Sequence, residues 1–219
     1  MAKAKGLMLV EGATDKSFYE EICCSLNLRV TVSVSPPRDV GGLHNSKQGV
    51  IKHLPVLLNQ LADGQIERLA LIVDADRVEH GSGAEKTIAL VSDVVEEFGF
   101  QSTPKRLRTG GLLFSHTDGL SDLGLWVMPN NNDEGALEDW ILQSVHPDEC
   151  ALLDSARNSV ASLAPQKFVP IRKSKAELAT WLAWQDRPGE GAYYAVKGAL
   201  LNDAAPLYIG LREWLARVF

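Results

Sequence analysis

The sequence predicts an α/β protein in which a parallel sheet is flanked by helices. Two short apolar runs, at residues 7–10 and 69–73, each end abruptly in a carboxylate. Runs of this length without polar alternation are typical of strands buried on both faces. Segments with helical apolar spacing lie between them, and alternation of strands with helices indicates a parallel sheet.

The first part of the chain alternates between the two kinds of element. We predict strands at residues 7–10, 28–34 and 69–73 and helices at 14–26, 46–61 and 84–98. Pro36 and Pro37 end the second strand, and Pro55 interrupts the apolar stripe of the second helix. Proline lacks the amide hydrogen that a helix interior needs, so this position predicts a kink or a helix start.

The second part of the chain predicts a hairpin followed by helices. Strands at 112–114 and 123–128 are joined across Asp118–Gly119, a favourable turn pair. Helices are predicted at 137–145, 149–163, 174–185 and 206–218, and Ser174 with Glu177 forms a capping-box pattern. Trp181, Trp184 and Trp214 are expected to pack a helical layer against the sheet. We divide the chain into an α/β domain at 1–145 and a helical region at 146–219.

Composition excludes several classes of protein. The net charge of −6 argues against a protein that coats nucleic acid by bulk electrostatics. Since no apolar stretch approaches about 20 residues, no membrane association is expected. The three cysteines have neither a disulfide pattern nor zinc-ligand spacing, which favours a reducing, cytoplasmic location.

Three carboxylates follow predicted strands. Glu11 comes after the first strand, and Asp74 and Asp76 end the third. The carboxyl ends of parallel strands meet at one edge of a sheet, where ligands bind. Because side chains alternate along a strand, Asp74 and Asp76 are expected to point the same way if the strand continues through them. Three converging carboxylates need a counter-charge, and a hard divalent cation is the usual one.

The motifs Val10-Glu11-Gly12-x-x-Asp15 and Asp74-x-Asp76, in this order of strands and helices, resemble a Toprim domain over about residues 5–140. The nearest resemblance is to stand-alone, uncharacterised bacterial Toprim-like proteins related to OLD-family nucleases. In those proteins a later segment ends the domain, here Gly135-Ala136-Leu137-Glu138-Asp139.

The resemblance implies a Rossmann-like sheet and a Mg²⁺- or Mn²⁺-dependent enzyme that cleaves or transfers nucleic-acid strands, DNA or RNA. Glu11 would be the general acid/base or a metal ligand, and Asp74 and Asp76 would hold the metal. Many Toprim enzymes carry a third acid two residues after the Asp-x-Asp pair, where this chain has Val78. Glu138 and Asp139 are the candidate ligands in its place, unless they are simply first-turn acids of their helix.

Four further residues are candidates for contact with phosphate. Gly12 would let a backbone pass close to a phosphate group. Gly41 and Gly42, followed by Lys47, form a glycine-containing loop before a helix, where amide groups can bind anions. Asp15 is interpreted either as a helix cap or as an orienting residue. The basic clusters at 105–108 and 172–175 are interpreted as solvated surface.

Two other functions remain open. Asp74 and Asp76 also resemble the first motif of haloacid-dehalogenase-like phosphatases, in which Asp74 would be the phosphorylated nucleophile. That interpretation leaves Glu11 without a role. Alternatively, the fold is a metal- or protein-binding module that regulates a separate ATPase, since the chain has no Walker A loop of its own.

Overall fold

The structure is a computed structural model in which residues 6–35, 46–78 and 82–219 are described. It is an α/β protein with one mixed, mostly parallel sheet, as the sequence predicts. The six strands are β1 (Gly6–Val10), β2 (Val30–Val34), β3 (Arg68–Asp74), β4 (Lys105–Arg106), β5 (Leu112–Phe114) and β6 (Leu123–Met128).

Helices connect and cover the strands. In chain order they are α1 (Ala13–Ser25), α2 (Lys47–Ala62), α3 (Ala84–Glu96), α4 (Leu137–Gln143), α5 (Cys150–Ala161), α6 (Lys173–Ala183), α7 (Tyr194–Lys197) and α8 (Pro206–Val218). Each predicted strand and helix is present, with ends displaced by a few residues. The short β4 and α7 were not predicted, because neither is long enough to show an apolar period.

The order of strands in the sheet is β2-β1-β3-β6-β5-β4. The pairs β1–β2, β1–β3 and β3–β6 are parallel, whereas β5 runs antiparallel to both of its neighbours. The predicted hairpin is therefore confirmed as an antiparallel extension of a parallel core. β1 and β3 are adjacent, so the carboxylates that follow them are brought to one edge.

Two apolar layers lie on opposite faces of the sheet. Met8 and Val10 face one layer with α1 and α4–α8, while Leu9 between them faces α2 and α3. This alternation along β1 is what a strand buried on both faces requires. The layer on the first face contains residues from β1 together with residues from α5, α6 and α8, so the C-terminal helices share a core with the sheet.

Three local expectations differ in the structure. Pro55 lies inside α2, which continues through it. Trp181 and Trp214 are fully buried, but Trp184 follows the last residue of α6 and is 45% exposed. Ser174 is not a cap, because α6 already begins at Lys173. Within the described part of the chain, no helix is long and apolar enough to cross a bilayer.

Candidate functional site

Glu11 and Asp74 form the centre of the site at the carboxyl ends of β1 and β3. The Oε1 atom of Glu11 accepts a hydrogen bond from the backbone N–H of Asp74 at 2.8 Å. The Oδ1 atom of Asp74 accepts one from the backbone N–H of Leu137, the first residue of α4, at 3.0 Å. Backbone donors therefore fix one oxygen of each carboxylate, and the other oxygen has no hydrogen bond from the described residues.

Asp76 lies beyond the end of β3, where the alternation rule no longer applies. β3 ends at Asp74, and Asp76 has a φ of 58°, in the left-handed region. Its backbone instead pairs with Gly135, donating to the Gly135 carbonyl at 3.0 Å. Because the strand ends at Asp74, the condition under which Asp74 and Asp76 were expected to point the same way is not met.

Lys47 supplies the positive charge beside Asp76. Its Nζ lies 2.7 Å from Oδ2 of Asp76 and donates to the backbone carbonyls of Asp74 and Ala75 at 2.9 and 3.0 Å. It also contacts the hydroxyls of Ser82 and Thr87. With this many acceptors around one ammonium, a phosphate at Lys47, as predicted, would have to displace an existing contact.

Three other predicted acids lie near this centre. Oδ2 of Asp15 accepts from the Gly12 N–H at 2.9 Å, which is the capping role considered for Asp15. The same bond occupies the Gly12 amide that was expected to approach phosphate. Asp139 caps α4 through the Ala136 N–H at 2.9 Å and accepts from the Ser174 hydroxyl at 2.6 Å, so both of its oxygens are engaged.

Glu138 is the acid of α4 whose charge acts on the carboxylates of the centre. It is only 9% exposed, and its Oε1 lies 3.3 Å from the Nζ of Lys175 on α6. Burial and the charge of Glu138 raise the pKa of Asp15. Five carboxylates therefore influence one another between two lysines, and Lys47 and Lys175 neutralise only part of their charge. The five are Glu11, Asp15, Asp74, Asp76 and Glu138.

Burial makes the ionised form of this cluster costly. It raises the pKa of Glu11 to about 7, against the lowering effect of the Asp74 N–H, with Asp76 raising it further. Burial, followed by the charges of Glu11 and Asp15, raises the pKa of Asp74 as well. Such carboxylates bind cations favourably, since a cation stabilises the ionised form that burial and neighbouring charges make costly.

The pKa of Glu11 leads to a pH-dependent stability. An unfolded Glu titrates near about 4.3, so the folded state binds this proton more tightly. The stabilisation is complete below about pH 4 and is lost as the pH rises to about 7, an effect on the order of 3 kcal/mol. Urea denaturation in EDTA should show the free energy of unfolding falling between about pH 5 and pH 7.5. The fall should be smaller in Glu11→Gln, and an unchanged slope in that variant would contradict the assignment.

The acids of the described residues do not form a closed cage for a metal ion. Within residues 6–35, 46–78 and 82–219, no three His, Cys, Asp or Glu side chains converge as a ready-made metal site. Mg²⁺ keeps several waters and is usually held by only one or two carboxylates. The buried Tyr19 hydroxyl has no hydrogen-bond partner among those residues, and the charges of Asp15 and Asp74 raise its pKa further after burial.

A cleft of about 370 Å³ opens beside the acids, between the sheet edge and the start of α6. Acidic and basic side chains both line it: Asp74, Asp76, Asp139, Arg77, Arg172 and Lys175. Glu11 is not among its lining residues, so it supports Asp74 without facing the cleft. The cleft therefore contains carboxylates that could bind a cation and basic side chains that could bind an anion.

The sequence did not predict the α6 side of this cleft. Arg172 and Lys175 belong to a basic cluster that was interpreted as solvated surface, and Arg77 was not singled out. Nothing in the periodicity of α6 indicates that its first turn lies opposite β3. Two predicted phosphate-binding residues, Gly41 and Gly42, lie outside the described residues.

The comparisons with known proteins assign a family but no activity. The family described as "Protein of unknown function (DUF3226)" matches residues 5–219. The chain belongs to this family. No curated protein and no solved structure is significantly similar to it.

Proposed function

We propose that this protein is a Mg²⁺- or Mn²⁺-dependent enzyme that cleaves phosphodiester bonds in nucleic acid, as the Toprim resemblance implies. The observation that carries the proposal is the pair Glu11 and Asp74, partly buried at neighbouring strand ends with one oxygen each held by a backbone N–H. Fixed carboxylates with unused oxygens are suited to hold a hard cation next to a substrate cleft.

Each residue has a role that follows from its contacts. Asp74 lines the cleft and is the main cation ligand, while Glu11 supports it and, with a pKa of about 7, can exchange a proton near neutral pH. Glu138 adds negative charge from α4, and Asp139 positions Ala136 and Ser174. A bound divalent ion would polarise the scissile phosphate and lower the pKa of a water ligand.

The experiment is cleavage of labelled single- and double-stranded DNA and RNA with Mg²⁺ or Mn²⁺. Glu11→Gln is expected to lose about 10- to 100-fold in rate, because Glu11 supports Asp74 and the supporting residues of metal sites contribute about that much. Glu97→Gln, an exposed acid beyond the end of α3, is the matched control and should cleave like wild type. Metal-independent cleavage, or full activity of Glu11→Gln, would contradict the proposal. Release of phosphate from a monoester that survives Glu11→Gln would favour the phosphatase interpretation instead.

One observation favours a second function, a metal- or protein-binding module that regulates a separate ATPase. Asp76 is neutralised by Lys47, and the position two residues later is Val78, which is 60% exposed and has no acid to offer. The first ligand pair of a two-metal site is thereby weakened. Mn²⁺ binding that is lost in Asp74→Asn, without turnover of any nucleic acid, would support this function over the enzyme.

A further inference from the structure

The lining of the cleft also contains positively charged residues that the metal site does not use. Arg77 follows β3, and Arg172 immediately precedes α6. Both are exposed, and neither forms an ion pair within the described part of the chain. Lys175 lies beside them, although it already contacts Glu138 at 3.3 Å. Two guanidinium groups from distant segments thus reach the same small volume.

This arrangement is selective for one kind of ligand. Arginine presents planar donors that match phosphate oxygens in pairs. The acids of the same lining, Glu134 among them, would repel a carboxylate or phosphate, so an anion bound in the cleft needs the positive charge of Arg77 and Arg172. A volume of about 370 Å³ is at the lower end of the range for small-molecule pockets.

We propose that Arg77 and Arg172 form a phosphate-binding subsite that accepts one nucleotide unit in this cleft. The inference rests on the proposed function for its location beside the cation site, but it makes a separate claim about binding. The exposed Ile171 also lines the cleft and offers an apolar surface to the base or sugar. The C-terminal helical region then contributes directly to substrate binding, through the residues around the start of α6.

The test is calorimetric titration with adenosine 5′-monophosphate and with adenosine, in Mg²⁺ and again in EDTA. We expect the monophosphate to bind at least about tenfold more tightly than adenosine, because a hydrogen bond to a charged group is worth that factor or more. Arg77→Gln and Arg172→Gln should each weaken the binding of adenosine 5′-monophosphate by at least about tenfold. Arg187→Gln, an exposed arginine outside the cleft, is the control and should leave it unchanged.

A second experiment distinguishes a free mononucleotide from the phosphorylated end of a nucleic-acid strand as the ligand. Oligonucleotides with a 5′-phosphate are compared with the same strands ending in a hydroxyl; a preference for the phosphorylated end that Arg172→Gln removes indicates a strand end. If only the free monophosphate shows the arginine-dependent affinity, the subsite binds mononucleotides.

The subsite proposal is overturned if adenosine 5′-monophosphate binds no better than adenosine, or if both arginine variants bind like wild type. These results are independent of the proposed activity. Cleavage that depends on Glu11 but not on either arginine would leave the enzyme proposal intact and reject the subsite. Arginine-dependent binding without cleavage would support the subsite and reject the enzyme proposal.

Discussion

Asp74→Asn is expected to abolish metal-dependent cleavage while leaving the protein at least as stable as wild type. Asp74 is the acid that both lines the cleft and is fixed by the Leu137 N–H. Losing this ligand should lower the rate by more than about 100-fold, since even supporting residues of metal sites cost 10- to 100-fold. Asparagine has the same shape, and its oxygen can still accept from Leu137.

Asp74→Asn is expected to lower activity without lowering stability, and this combination makes the prediction specific. Burial and neighbouring acids raise the pKa of Asp74, so its charged form destabilises the fold in the absence of a cation. Removing that charge should leave the free energy of unfolding in EDTA unchanged or raise it by about 1–2 kcal/mol. Urea denaturation and the cleavage assay are measured on the same preparation, with the exposed Asp118→Asn as control. A variant that loses activity only because it unfolds would contradict this account.

Lys47→Met is expected to be the most destabilising single change at the site. Its ammonium holds Asp76 and two backbone carbonyls at 2.7–3.0 Å, and only 13% of its side chain is exposed. The variant removes the ammonium from all three acceptors; the Ala75 carbonyl keeps the Gly83 N–H at 2.8 Å, and Asp76, 47% exposed, can be rehydrated. We expect a loss of about 2–3 kcal/mol in the free energy of unfolding.

A double variant separates charge from backbone support. Asp76→Asn in the Lys47→Met background should recover the part of the loss that comes from the unpaired carboxylate, and not the part from the carbonyls. Lys52→Met on the exposed side of α2 is the matched control. If Lys47→Met unfolds at the same urea concentration as wild type, the ion pair with Asp76 does not hold the end of β3 in place.

The sheet was predictable because its strands carry simple signals. β1 and β3 are continuous apolar runs that end in Glu11 and Asp74, and parallel topology necessarily brings such ends together. The arrangement of Asp76 was not predictable, because it depends on where β3 stops and on the bridge to Gly135. That bridge joins residues 59 positions apart, and no local pattern encodes it.

The counter-charge was only partly predictable. A divalent cation was expected as the usual counter-charge, and in the structure Lys47 from α2 provides part of the compensation. Its ammonium reaches Asp76 only because α2 packs against β3, which depends on the tertiary structure. Arg172 and Lys175 were not predicted as site residues for the same reason. They lie at the site only because α6 packs near α4 in the folded protein.

The central claim is that the acids at the ends of β1 and β3 hold a divalent cation. The most direct measurement is calorimetric titration of Mn²⁺ into the wild-type protein, Asp74→Asn and the Asp118→Asn control. The account predicts saturable binding to wild type and control, and binding at least about tenfold weaker, or none, in Asp74→Asn. Absence of saturable binding to the wild type, or equal affinity in Asp74→Asn, would contradict it.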